Sequence, residues 1–76
     1  MNKQRRTKLK GIVADISRIM NNIESVKDDE QESLDSLPDS LADSSRASEM
    51  ENNIDLLEEA CSGLEDAASI INDVIG

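Results

Sequence analysis

From Ala47 to Ile75 the apolar residues recur at Ala47, Met50, Ile54, Leu57, Cys61, Leu64, Ala68, Ile71 and Ile75, in alternating steps of three and four. No proline interrupts the series. A repeat of about 3.5 residues, wound on a helix of about 3.6 residues per turn, makes a narrow apolar seam that asks for a partner helix. The first third of the chain keeps the same rhythm at Leu9, Ile12, Ile16, Ile19, Ile23 and Val26, with Val13 and Met20 widening the stripe on one side. It falters across Lys27–Ser33, where the heptad positions fall on Glu30 and Ser33. Leu34 and Leu37 resume one residue out of phase, which reads as a local unwinding of the coil.

Leu37-Pro38 is the one strong punctuation. Proline disfavours helix for the residue before it and suits the first turn of a new one. Ser36, Ser40, Ser44, Ser45 and Ser48 are all possible N-caps, with capping boxes at Ser40-x-x-Asp43 and Ser48-x-x-Glu51. The second helix can therefore begin anywhere from Pro38 to Ser48. The early start gives two arms of equal length, each on the order of 50 Å. The expectation is one all-α domain over residues 1–76, an antiparallel two-helix coiled-coil hairpin. Helix 1 spans about 2–36, a turn sits at 37–38, and helix 2 spans about 39–75. Folding there places residue i near 75 − i, so Leu34 meets Leu41, Glu30 lies near Arg46, Val26 near Met50, and Ile12 near Leu64. Gly11 and Gly63 fall at nearly one level, each costing up to ~1 kcal/mol against alanine.

A second stripe flanks the seam on helix 2: Leu56, Ala60, Gly63, Ala67, Ile70 and Val74. Two adjacent apolar stripes need more cover than one arm supplies. Dimerisation of two hairpins through this face into a four-helix bundle is the expected remedy, since a single thin seam rarely stabilises so short a chain. The chain has no Phe, Tyr or Trp, and its Leu, Ile, Val, Met and Ala content suits helix-on-helix packing.

Net charge is −9, from 17 acids and 8 bases. Lys3, Arg5, Arg6, Lys8 and Lys10 lie in the first ten residues, and residues 11–76 carry three cations against all 17 acids, a net of −14. Such a body repels nucleic acid and anionic membrane and attracts basic surfaces. The basic start is expected to lie beside the carboxyl end of helix 2 and Asp73, where cations are favoured. The acidic run Asp28, Asp29, Glu30, Glu32, Asp35, Asp39 and Asp43 contains no base and is the candidate partner-binding face; on a rigid rod it also imitates a nucleic-acid backbone. One cysteine means no disulfide framework and points to a reducing compartment. The apolar run Gly11–Ala14 is too short for a signal peptide and no stretch is long enough to cross a bilayer, so a cytoplasmic location is expected.

Catalysis is disfavoured. Histidine is absent, Cys61 falls on the seam, and no serine has a base at a diagnostic spacing. The acidic run lacks the alternating ligands and central glycine of a calcium loop, and no glycine-rich phosphate loop exists. No catalytic, metal or cofactor site is assigned.

The span Leu34-Asp35-Ser36-Leu37-Pro38-Asp39-Ser40-Leu41, then Ser45-Arg46, then Met50-Glu51-x-x-Ile54-x-x-Leu57-Glu58-Glu59-Ala60, resembles small acidic helical-hairpin proteins of phages and mobile elements of Gram-positive bacteria. The likeness covers roughly residues 30–65 and the Met-Asn-Lys-x-Arg-Arg start. It implies an inhibitor that binds and disables a host or anti-phage defence protein, in the host cytoplasm if the chain is phage-encoded. A self-assembling scaffold and a small-ligand sponge between hairpins are the alternatives.

Overall fold

Asn2 starts the first helix: its side-chain oxygen accepts the Arg5 amide at 2.8 Å, satisfying one of the donors a helix start leaves free. From there the computed structural model, which describes Met1–Gly76, runs as α1 over Lys3–Asp35, a 3-10 turn over Asp39–Leu41, and α2 over Ser45–Ile75. The two long helices pack along each other as an all-helical antiparallel hairpin, a rod of 60 × 15 × 12 Å. No helix is long and apolar enough to cross a membrane.

The connection is longer than a tight turn at 37–38. Ser36 caps α1, its amide donating to the Glu32 carbonyl at 3.0 Å and the next amide, of Leu37, to the Leu34 carbonyl at 3.2 Å, and Pro38 is extended at ψ 150. Helix 2 does not resume at Asp39; it begins at Ser45. The reason is local. Asp39, Ser40, Asp43 and Ser44 all have short polar side chains that compete for nearby backbone. Ser44 wins that competition as N-cap: its hydroxyl accepts the Ala47 amide at 3.2 Å and donates to the Leu41 carbonyl at 2.6 Å. We expect Ser44→Ala to cost about 1 kcal/mol in chemical denaturation. Ser40→Ala and Ser48→Ala, the alternative caps, should stay within about 0.5 kcal/mol of wild type.

The longer connection resets the register. Three side-chain contacts cross the hairpin: the Cys61 thiol with the Met20 carbonyl, Asn53 with Glu30, and Lys27 with Glu58. Opposite residues therefore add to 81–85 rather than to 75. The pairings expected from the shorter turn are shifted by about two helical turns, and Gly11 and Gly63 are not level. A Cβ built on either glycine meets nothing within 4 Å, so neither is needed for close packing inside the hairpin.

The register also exposes the basic end. The first turn of α1 runs past the end of α2. None of Lys3, Arg5, Arg6, Lys8 and Lys10 forms an ion pair, with Asp73 or any other acid; the two ion pairs present are Arg18–Asp15 and Lys27–Glu58.

The inward face of α1 differs from the purely apolar stripe. Half-buried positions run Leu9, Val13, Ile16, Met20, Ile23, Lys27, Glu30, Leu34, and continue to Leu37, in alternating steps of four and three. There is no phase shift. Ile12, Ile19 and Val26 point outward instead, and the seam accepts Lys27 and Glu30. On α2 the inward residues are those of the expected seam, with Asn53 and Ala67 half-buried beside it, and Ala47, Met50 and Ile54 are the three buried residues of the molecule. The core thus sits at the turn end, in the first three turns of α2.

Candidate functional site

Two polar layers interrupt the seam. Lys27 Nζ lies 3.6 Å from Glu58 Oε1 on one side of the hairpin. Asn53 Nδ2 donates to Glu30 Oε2 at 3.0 Å on the other. A polar residue at a seam position specifies register at a cost in stability. Slipping the helices by one heptad would still set a glutamate, Glu51 or Glu65, opposite Lys27, but would replace Asn53 opposite Glu30 by Arg46 or Ala60, so the Glu30–Asn53 bond is the contact that distinguishes the register. We expect the double change Glu30→Leu/Asn53→Leu, which replaces both partners of that contact, to raise stability by up to about 1 kcal/mol. The same change should multiply the amide resonances in a nitrogen–proton correlation spectrum, because the register is no longer unique.

The Glu30–Asn53 bond also orients the outer surfaces. Asn53 heads a row at seven-residue steps on α2: Asn53, Ala60, Ala67 and Val74. Glu30 follows Val26 by one helical turn, and Val26 ends a row at the same spacing on α1: Ile12, Ile19 and Val26. The bond therefore places both rows on one side of the hairpin. Leu56, Gly63 and Ile70 widen this side on α2. Its large members are open to solvent, with fractional exposures of 39% for Ile12, 48% for Ile19, 57% for Val26, 53% for Leu56, 64% for Ile70 and 49% for Val74. The sequence-derived stripe Leu56, Ala60, Gly63, Ala67, Ile70, Val74 is thus half of a two-helix face. The other half, Ile12, Ile19 and Val26, had been placed in the seam. Following the steps from Leu9 through Val13 to Leu34, at the expense of two polar positions, is the signal that separates them.

The opposite side is polar. Glu51, Glu58 and Glu65 follow one another at seven-residue steps along α2, and Lys10, Ser17, Glu24 and Gln31 do so along α1. Of the acidic run, Asp28, Glu32 and Asp35 share the outward edge of α1 at steps of four and three, with Asp29 beside them. Asp35 accepts the Gln31 amide at 3.0 Å. Asp39 opens the 3-10 turn and Asp43 precedes the Ser44 cap; both are exposed. Glu30 stands apart, half-buried and held by Asn53, so it serves the hairpin before any partner.

No enclosed cavity is present. The larger surface depression is lined by Glu30, Ser45, Arg46, Glu49, Met50 and Asn53, five of them polar, and is open to solvent. Arg46 reaches this depression without pairing with Glu30. Cys61 is a half-buried free thiol directed at the Met20 carbonyl, 3.9 Å away. No group of three or more acidic, cysteine or histidine side chains converges as metal ligands would.

The chain matches no protein-family model, no curated protein and no solved structure.

Proposed function

We propose that this chain is a non-catalytic protein-binding module. The observation that carries the reading is the uncovered apolar side formed by Ile12, Ile19, Val26, Leu56, Ile70 and Val74. The row from Leu56 to Val74 is about 27 Å long at ~1.5 Å per residue. Across a rod 15 Å wide that is roughly 400 Å² of largely aliphatic surface, the size at which exposed patches become interaction sites. Polar groups that fix a small molecule's orientation are missing from it, so another protein surface is the fitting occupant.

The charge distribution supports a second, electrostatic component. Asp28, Glu32 and Asp35 on α1 and Glu51, Glu58 and Glu65 on α2 present carboxylates away from the apolar side. They suit a partner with a basic surface and would speed its encounter. The resemblance to phage hairpins makes a host or defence protein the proposed target, with inhibition by occupancy as the mode of action. A self-assembling scaffold is the competing reading, favoured by the same apolar side.

An immobilised chain incubated with lysate of its source cells tests the module. Retention of a different protein, weakened by salt and by the triple reversal Asp28→Lys, Asp29→Lys, Glu32→Lys, is the expected result. Recovery of its own copies alone, together with growth beyond a dimer in light scattering, would reject the module in favour of the scaffold.

A further inference from the structure

We propose that the apolar side takes a second copy of this chain laid antiparallel to the first, with the twofold axis at the level of Ile19 and Gly63. The inference rests on the binding-face reading and goes further by naming the first occupant and its orientation.

An interface between identical copies must match its own rotated image. The α1 row has that symmetry, and the α2 row has it at Leu56 and Ile70, while Val74 at its end falls opposite Asn52 of the second copy. On α1, Ile12 and Val26 each stand seven residues from Ile19. On α2, Leu56 and Ile70 each stand seven residues from Gly63, with Ala60 and Ala67 between. The two centres are also level. Opposite residues add to 81–85, so Ile19 lies beside residues 62–66 and a single axis passes both. Rotation then sets Ile12 over Val26 of the second copy and Leu56 over Ile70. The α2 helices cross at Gly63, where the missing side chain lets backbones approach; the space around its Cβ position is empty within 4 Å in the single hairpin.

Charge selects the antiparallel orientation. Rotation about Ile19 carries residue i of α1 onto residue 38 − i, which lays the unpaired cations of residues 3–10 over the acids of residues 28–35. At the rim, Lys8 lies one turn before Ile12 and Asp29 lies three residues after Val26, so the rotation sets Lys8 within a residue of the level of Asp29 of the second copy. A parallel dimer, with its twofold axis along the rod, lays α1 over α2 of the second copy and gathers the cations of residues 3–10 from both copies at one end and both acidic runs at the other, an arrangement that like-charge repulsion disfavours. The aliphatic part of that side, roughly 400 Å², is about half of the roughly 800 Å² per partner of a stable interface, and the charged rims along the 60 Å rod supply the rest.

Pulsed electron-spin distance measurement decides the matter. The chain carries Cys61→Ala, to remove the native thiol, and Ser40→Cys, spin-labelled at the turn. Circular dichroism confirms that the helices persist. Antiparallel copies give a label separation approaching the 60 Å rod length. A separation on the order of 10–20 Å, the spacing of side-by-side helices and their labels, would overturn the orientation. Absence of any dipolar coupling would overturn the second copy itself, while capture of a different protein from lysate would still uphold the binding face. As an independent arm, Lys8→Glu should weaken the dimer about fivefold, and adding Asp29→Lys to the same chain should restore it. Failure of that rescue rejects the rim pairing. Gly63→Ala should weaken the dimer roughly tenfold by crowding the crossing, whereas Gly11→Ala should not.

Discussion

Ile54→Ala is expected to be the most damaging truncation in the chain, costing about 2–4 kcal/mol. Ile54 is one of only three buried residues, with Met50 and Ala47 at the turn end. Removing its outer carbons loses transfer free energy and leaves a hole that two rigid helices cannot close. A domain of 76 residues has on the order of 4–11 kcal/mol of total stability, so one such hole consumes a large share. Guanidinium denaturation followed by circular dichroism gives the value. Ile71→Ala, half-buried in the thinner distal seam, should cost less. A loss at Ile54 below about 1 kcal/mol would mean that the turn end does not anchor the hairpin.

Ile70→Asp should have the opposite profile. Ile70 is the most exposed of the large apolar side chains at 64%, so the single hairpin loses almost nothing when it becomes aspartate. Any complex made through that side must bury an unpaired carboxylate, and association should weaken by roughly a hundredfold or more. Melting temperature reads both effects. In wild type it should climb with protein concentration, as it does whenever folding is linked to association. In Ile70→Asp it should be independent of concentration and equal to the wild-type value at high dilution. The same variant divides the two surfaces: if it still captures a partner while a reversal confined to the outward edge, Asp28→Lys, Glu32→Lys and Asp35→Lys, does not, the acidic edge carries recognition. If it loses the partner and the reversal keeps it, the aliphatic side does.

The two long helices were legible because spacings of three and four admit nothing else over so many residues. The outer stripe of α2 was legible for the same reason. Three features were not. Ile12 beside Val13, and Ile19 beside Met20, offer two adjacent apolar choices, and only the partner helix decides which turns inward. The winning phase places Lys27 and Glu30 in the seam, a choice that local hydrophobicity rejects and that Glu58 and Asn53 repay from across the hairpin. Five serines offered caps for α2, and the selection of Ser44 depends on the Leu41 carbonyl that its hydroxyl also meets. That selection lengthens the connection, and through it moves every cross-helix pair and frees the basic end.

Sedimentation equilibrium of the unmodified chain, run from micromolar to millimolar concentration, tests most directly whether the aliphatic side is a protein-binding surface satisfied first by a second copy. The expected mass rises from 8.3 kDa to twice that value and stops there. A mass that remains at 8.3 kDa throughout, with the helices intact, would contradict it.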